Sequence, residues 1–164
     1  MEIKELLDAF AAWLEEREIT DVEIQEKAGD DGDFSAIFFP VEEDPGYLPY
    51  EICAILREGA PLALYVDYCD IPDVDELELY RFLNELNEKT LLKATVDEGH
   101  LLLSYALPME YITARESLAD AFFAVWDAMD HIRDDVMDAF GIDAEDGEEA
   151  YEEEAPADDE ADGK

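Results

Sequence analysis

The sequence predicts an α+β protein in which an antiparallel sheet of about five or six strands carries helices at the N-terminus, in the middle and at the C-terminus. Three observations lead there. Apolar residues recur at helical spacing in three separated stretches, the segments between them are short and alternating or continuously apolar, and turn residues stand at each change of period. The resulting order is α-β-β-β-β-α-β-β-α.

Ile3, Leu6, Leu7, Phe10, Trp13 and Leu14 share one helical face, and Glu15, Glu16 and Arg17 close a helix over residues 2–17. Val22 and Ile24 then alternate with Glu23 and Gln25 as a strand. After the turn over residues 29–33, the run from Phe34 to Phe39 is apolar on both faces and completes a hairpin. Residues 41–49 hold Pro45, Gly46 and Pro49 among three acids, so they read as a loop. Residues 50–56 and 62–69 form a second hairpin, in which Ile52, Ala54 and Leu56 share a face with Leu62, Leu64, Val66 and Tyr68.

Pro72 ends that hairpin. Asp73 is the predicted N-cap of a second helix over residues 74–88, with Glu76 at the reciprocal position and Leu79, Phe82, Leu83 and Leu86 as its buried stripe. Asn84 and Asn87 lie where the helix ends, and Asn87 reads as a left-handed exit residue. Residues 91–96 and 101–107 make a third hairpin about Asp97, Glu98 and Gly99. Thr113 with Glu116 predicts a capping box for the last helix, residues 114–139, and Gly141 stops it.

That last helix is ~40 Å long at ~1.5 Å per residue. Leu118, Phe122, Val125, Met129, Ile132, Val136 and Ala139 alternate spacings of four and three, which fits either a coiled-coil seam or a face packed on a sheet. Phe122, Phe123, Val125, Trp126 and Met129 together cover more than one stripe. They are the expected interface of a homodimer.

Forty-seven acids against ten Lys and Arg give a formal charge of −37, yet 49% of the residues are apolar. A chain of this composition folds. Residues 143–164 hold twelve of the acids and nothing that builds a core, so they read as a disordered tail after a single domain over residues 1–142. The domain alone still carries −26. Such a field repels nucleic-acid phosphate and anionic lipid and favours basic partners, cations or a high-salt interior.

No leader and no membrane span is legible at the start, so a cytoplasmic protein is expected. Cys53 and Cys69 have no zinc spacing and are too far apart in the second hairpin for a disulfide, which leaves buried free thiols. Asp143, Glu145 and Glu154 miss the calcium-loop pattern because Gly147 falls one position early, and Asp30, Asp31 and Asp33 suit a tight turn for backbone reasons. His100 and His131 stand apart from other ligands. No nucleophile motif, phosphate loop or dinucleotide fingerprint occurs, so neither catalytic residues nor a metal or cofactor are expected.

The segment Leu83-Asn84-Glu85-Leu86-Asn87, the hairpin over residues 91–107 with its glycine turn, Leu107-Pro108 and the Thr113-led helix together resemble the YbjN family of bacterial sensory-transduction regulators. The resemblance is best over residues 50–140. That family is similar in turn to the type III secretion chaperones, small acidic α+β proteins that usually dimerise. It implies a secretion-chaperone-like fold that holds an extended client segment in apolar grooves and along strand edges. The expected function is a non-enzymatic module that binds a basic or amphipathic protein segment. Leu6, Phe10 and Trp13 are either its apolar anchors or ordinary core. Two other readings of the charge are a nucleic-acid mimic that occupies the basic surface of a DNA-binding protein, and salt adaptation with no partner at all.

Overall fold

The computed structural model describes residues 2–27, 33–42 and 47–142. The elements follow in the expected order: α1 (Ile3–Glu15), β1 (Glu23–Lys27), β2 (Phe34–Val41), β3 (Tyr50–Arg57), β4 (Leu62–Asp70), α2 (Glu76–Lys89), β5 (Lys93–Asp97), β6 (His100–Leu107) and α3 (Arg115–Phe140). Most of the expected first turn, the centre of the loop before Tyr50 and the acidic segment 143–164 lie outside the described residues.

All six strands form one antiparallel sheet in the order β1-β2-β3-β4-β6-β5. Ile52 stands against Val66 and Ala54 against Leu64, the register that puts the branched residues of β3 and β4 on one face. Onto that face pack Leu6, Phe10 and Leu14 of α1, and Leu118, Phe122, Val125, Met129, Ile132 and Val136 of α3, all buried. The four-three repeat of α3 is therefore a face packed on the sheet as far as Val136, while Ala139, its last expected member, is exposed. α2 lies beside β5 and meets α3 through Phe82 and Phe140, whose rings cross edge to face at 5.2 Å.

The opposite face of the sheet bears no described helix. Pairing brings to it Phe34, Ala36 and Phe38 of β2, Cys53 and Ile55 of β3, Ala63 and Tyr65 of β4, and Leu102, Ser104 and Ala106 of β6. The two-sided apolarity of β2 thus has two different meanings. Ile37 goes to the core, while Phe34 and Phe38 go to the open side.

Helix ends depart from expectation in three places. Asp73 does not cap α2; its N-cap is Asp75, whose Oδ1 accepts the N–H groups of Leu77 and Glu78 at 3.0 and 3.2 Å. At α3 the start falls one residue later than Thr113 implies. Ser117 does the reciprocal work expected of Glu116, its hydroxyl accepting the N–H groups of Thr113 and Ala114, each at 3.0 Å. Gly141 ends the helix as expected, with φ +64° and the N–H of Ile142 donating to Met137 at 3.0 Å.

Asn87 is the third departure, because it is no helix exit. Its Oδ1 accepts the N–H of Ala94 at 2.8 Å and its Nδ2 donates to the Ala94 carbonyl at 3.3 Å. A side-chain amide so placed imitates a neighbouring strand at the edge of β5, satisfying backbone groups that an edge leaves open. It also ties the end of α2 to the sheet. We predict that Asn87→Ala lowers stability by about 1–3 kcal/mol, the cost of unpaired half-buried backbone groups, and that amide exchange at Ala94 accelerates more than at Leu103. Equal acceleration at both would contradict the local role.

Candidate functional site

Three aromatic rings from three elements meet where α1 crosses α3 above β2. Phe10 and Phe122 stack with centroids 5.8 Å apart and planes within 8°, and Phe39 lies 5.4 Å from Phe122. Trp13 continues the stack from Phe10 at 5.7 Å. The rings leave an apolar cleft of about 240 Å³ on their outer side. Its floor is Phe10, Trp13, Ile52 and Phe122; its walls are Ile19, the end of β2 from Phe39 to Val41, and Phe123 and Trp126 of α3.

Local backbone geometry places each wall. After α1 the chain reverses through Glu18 at φ +58°, a left-handed conformation that costs a non-glycine residue about 1 kcal/mol. The N–H of Ile19 then donates to Leu14 at 3.1 Å, turning the Ile19 side chain toward the cleft. Arg17 covers Trp13, with its guanidinium carbon 4.1 Å from the ring centre. On α3, Phe123 and Trp126 pair at 6.1 Å and stay about half exposed, at 49% and 48%.

Electrostatics set this apolar mouth apart. Of the described residues that line it, only Glu42 is charged. Asp120 and Asp127 stand three residues before and four after Phe123, and Asp130 stands four after Trp126, positions that adjoin these rings on a helix surface. All three are exposed. The cleft is thus an aromatic surface framed by carboxylates.

The sequence-predicted anchors divide. Leu6, Phe10 and Trp13 are all buried, at 2%, 0% and 7% exposure. Phe10 and Trp13 line the cleft from beneath; Leu6 lies in the core and does not reach it. Among the expected interface residues, Phe122, Val125 and Met129 are covered within the chain because the seam of α3 faces the sheet. Phe123 and Trp126, on the second stripe, are the pair that solvent reaches. Ile19, Phe39 and Val41 were missed, since nothing in a strand end or a helix exit signals that tertiary packing will gather them.

Other reactive groups are scattered. Both cysteines are free and half-buried rather than fully buried, Cys53 facing the open side of the sheet and Cys69 packing against the core. Burial, then Asp70 and Asp67, pushes the Cys69 thiol up to about 12. His100 Nδ1 lies 3.4 Å from Asp67 and 3.2 Å from Asp70 at the surface. His131 donates through Nδ1 to the Asp127 carbonyl at 2.6 Å. Among the described residues no three His, Cys, Asp or Glu converge as a metal site, and no helix is long and apolar enough to cross a membrane.

Two titrations check these environments. The Asp127 carbonyl, then its carboxylate, raises His131 above its ordinary 6.5. Since folding favours the protonated ring, the resulting stabilisation is present below pH 6.5 and is lost as pH rises through the higher folded value. An imidazole NMR titration with a midpoint at or below 6.5 would contradict it. For Cys69 the raised thiol predicts alkylation at pH 8 at least about a hundredfold slower than that of a free cysteine. Compared with protein-family models, with curated proteins and with solved structures, the chain matches none.

Proposed function

We propose that this chain is a cytoplasmic, non-enzymatic protein-binding module, chaperone-like or regulatory, that engages a basic or amphipathic segment of another protein at the acid-framed aromatic cleft. One observation carries the reading: Phe123 and Trp126 stand half exposed over a cleft of about 240 Å³ while carboxylates surround them. An apolar mouth of this kind, on a chain of charge −37, selects a ligand with both an apolar side chain and positive charge. The field speeds encounter, and the aromatic contact slows release.

The element order supports a likeness to the YbjN family and to type III secretion chaperones, whose clients lie in apolar grooves. Strand-edge capture has less support here. Asn87 occupies the edge of β5 at Ala94, and β1, at the other edge, is five residues long with Glu23, Glu26 and Lys27 in it. The groove is the better candidate. A second reading, the nucleic-acid mimic, draws on Asp120, Asp127, Asp130, Asp134 and Asp138, all exposed along α3. Phe123 and Trp126 interrupt that ribbon, and a phosphate mimic has no use for them.

The test is titration of the full chain with a synthetic amphipathic peptide rich in Lys, Leu and Phe. Replacing Phe123 and Trp126 together by Ala should weaken binding at least tenfold, about 1.4 kcal/mol, with the thermal midpoint nearly unchanged because both are surface residues. Raising salt should weaken it further. Trp13→Ala is the poorer probe, since its loss from the core costs about 3–5 kcal/mol of stability. Unaltered affinity in the double variant sinks the proposal, and preferential capture of a DNA-binding protein by that variant favours the mimic.

A further inference from the structure

The open face of the sheet has a charge unlike that of the rest of the molecule. Its centre is an uncharged block across four adjacent strands, with Phe38, Ile55, Tyr65 and Ala106 among its members. Around that block pairing places five acids and three bases, a net of −2 on a chain of −37. Two of the bases lie over aromatic rings of the same surface, Lys27 at 5.4 Å from Phe38 and Arg57 at 5.7 Å from Phe34. An apolar centre with a mixed-charge rim is the anatomy of a protein interface.

We propose that a second copy of this chain covers this face, the two sheets packing against each other about a two-fold axis parallel to the strands. Charge selects that occupant. A basic partner is drawn to where carboxylates go unopposed, and here three bases offset five of them. A second copy is repelled elsewhere by the same carboxylates, and least here.

Register makes the contact self-complementary. Glu23, Phe38, Cys53, Tyr65, Ser104 and Lys93 pair successively across all six strands and so lie in one row from edge to edge. A two-fold axis between β3 and β4 turns that row end for end. It sets the Glu23 edge of each copy over the Lys93 edge of the other, with Tyr65 over Cys53 at the centre. Six strands at ~4.8 Å spacing and ~3.4 Å per residue give a pleated face of roughly 550 Å² in projection, enough relief to approach the about 800 Å² per partner of a stable complex. The cost falls on the next row, where the same axis brings Glu51 toward Asp67. Salt relieves that repulsion and the repulsion between whole chains. The dimer therefore tightens with salt, whereas a basic ligand in the cleft loosens.

Sedimentation velocity of the full chain at about 0.05 M and about 1 M NaCl tests this. The dimer fraction should rise with salt. Tyr65→Glu and Ala106→Glu should each raise the dissociation constant at least about tenfold by placing a charge in the apolar centre. Glu23→Lys should weaken the dimer and Lys93→Glu, added to it, should restore it. Trp126→Glu, on the far side of the sheet, should change nothing. Because Ala106 is exposed, its variant decides the matter if Tyr65→Glu melts early. A monomer at both salts, a dimer that survives Ala106→Glu, a dimer lost in Trp126→Glu, or one that weakens with salt would each overturn the proposal.

Discussion

Phe10, Phe122 and Phe39 are the contact on which the architecture depends, because they join α1, α3 and β2 at a single point. A sheet with one apolar face needs cover, and two crossing helices supply it only if something fixes where they cross. The near-parallel stack of Phe10 on Phe122 does so, and Phe39 seats the pair on the strand below. Residues of this size bury about 150–250 Å² each. The same rings line the cleft, Phe10 from α1, Phe39 from β2 and Phe122 from α3. Stability and candidate site thus come from one set of rings.

Against this stands the self-repulsion of the carboxylates. The few bases are placed where they tie elements together: Arg115 reaches Glu16 from α3 at 3.7 Å, Lys89 reaches Asp135 from α2 at 2.7 Å, and Arg133 lies 3.8 Å from the ring of Tyr47. Exposed ion pairs contribute only about 0–1 kcal/mol each. Their importance here is positional. Each spans two segments of the chain, and each lowers the local density of like charge along α3.

Periodicity made the elements legible, and tertiary context hid the rest. The order and type of every α-helix and strand followed from spacing, because a core-facing stripe on a helix or a strand must repeat with its own period. Caps were harder. Asp73 and Asp75 offer the same chemistry to the same helix, and only the path of the chain after Pro72 decides between them. Asn87 looked local and acts at a distance, on Ala94 of a strand not yet formed in a linear reading. On α3, Phe122 and Phe123 are indistinguishable by type; a rotation of one residue puts the first in the core and leaves the second in solvent. The cleft was half legible for that reason, with Phe10, Trp13 and Trp126 in view and Ile19, Phe39 and Val41 out of it.

The distribution of charge bears on why the chain is acidic at all. Acids alone do not distinguish the open sheet face from the helices, since pairing places five carboxylates on it. That face instead keeps three of the nine described bases and places uncharged residues across its centre, while the outer side of α3 carries Asp at almost every turn. Acids beside an apolar cleft, and acids offset by bases around an apolar sheet, describe two surfaces of different charge.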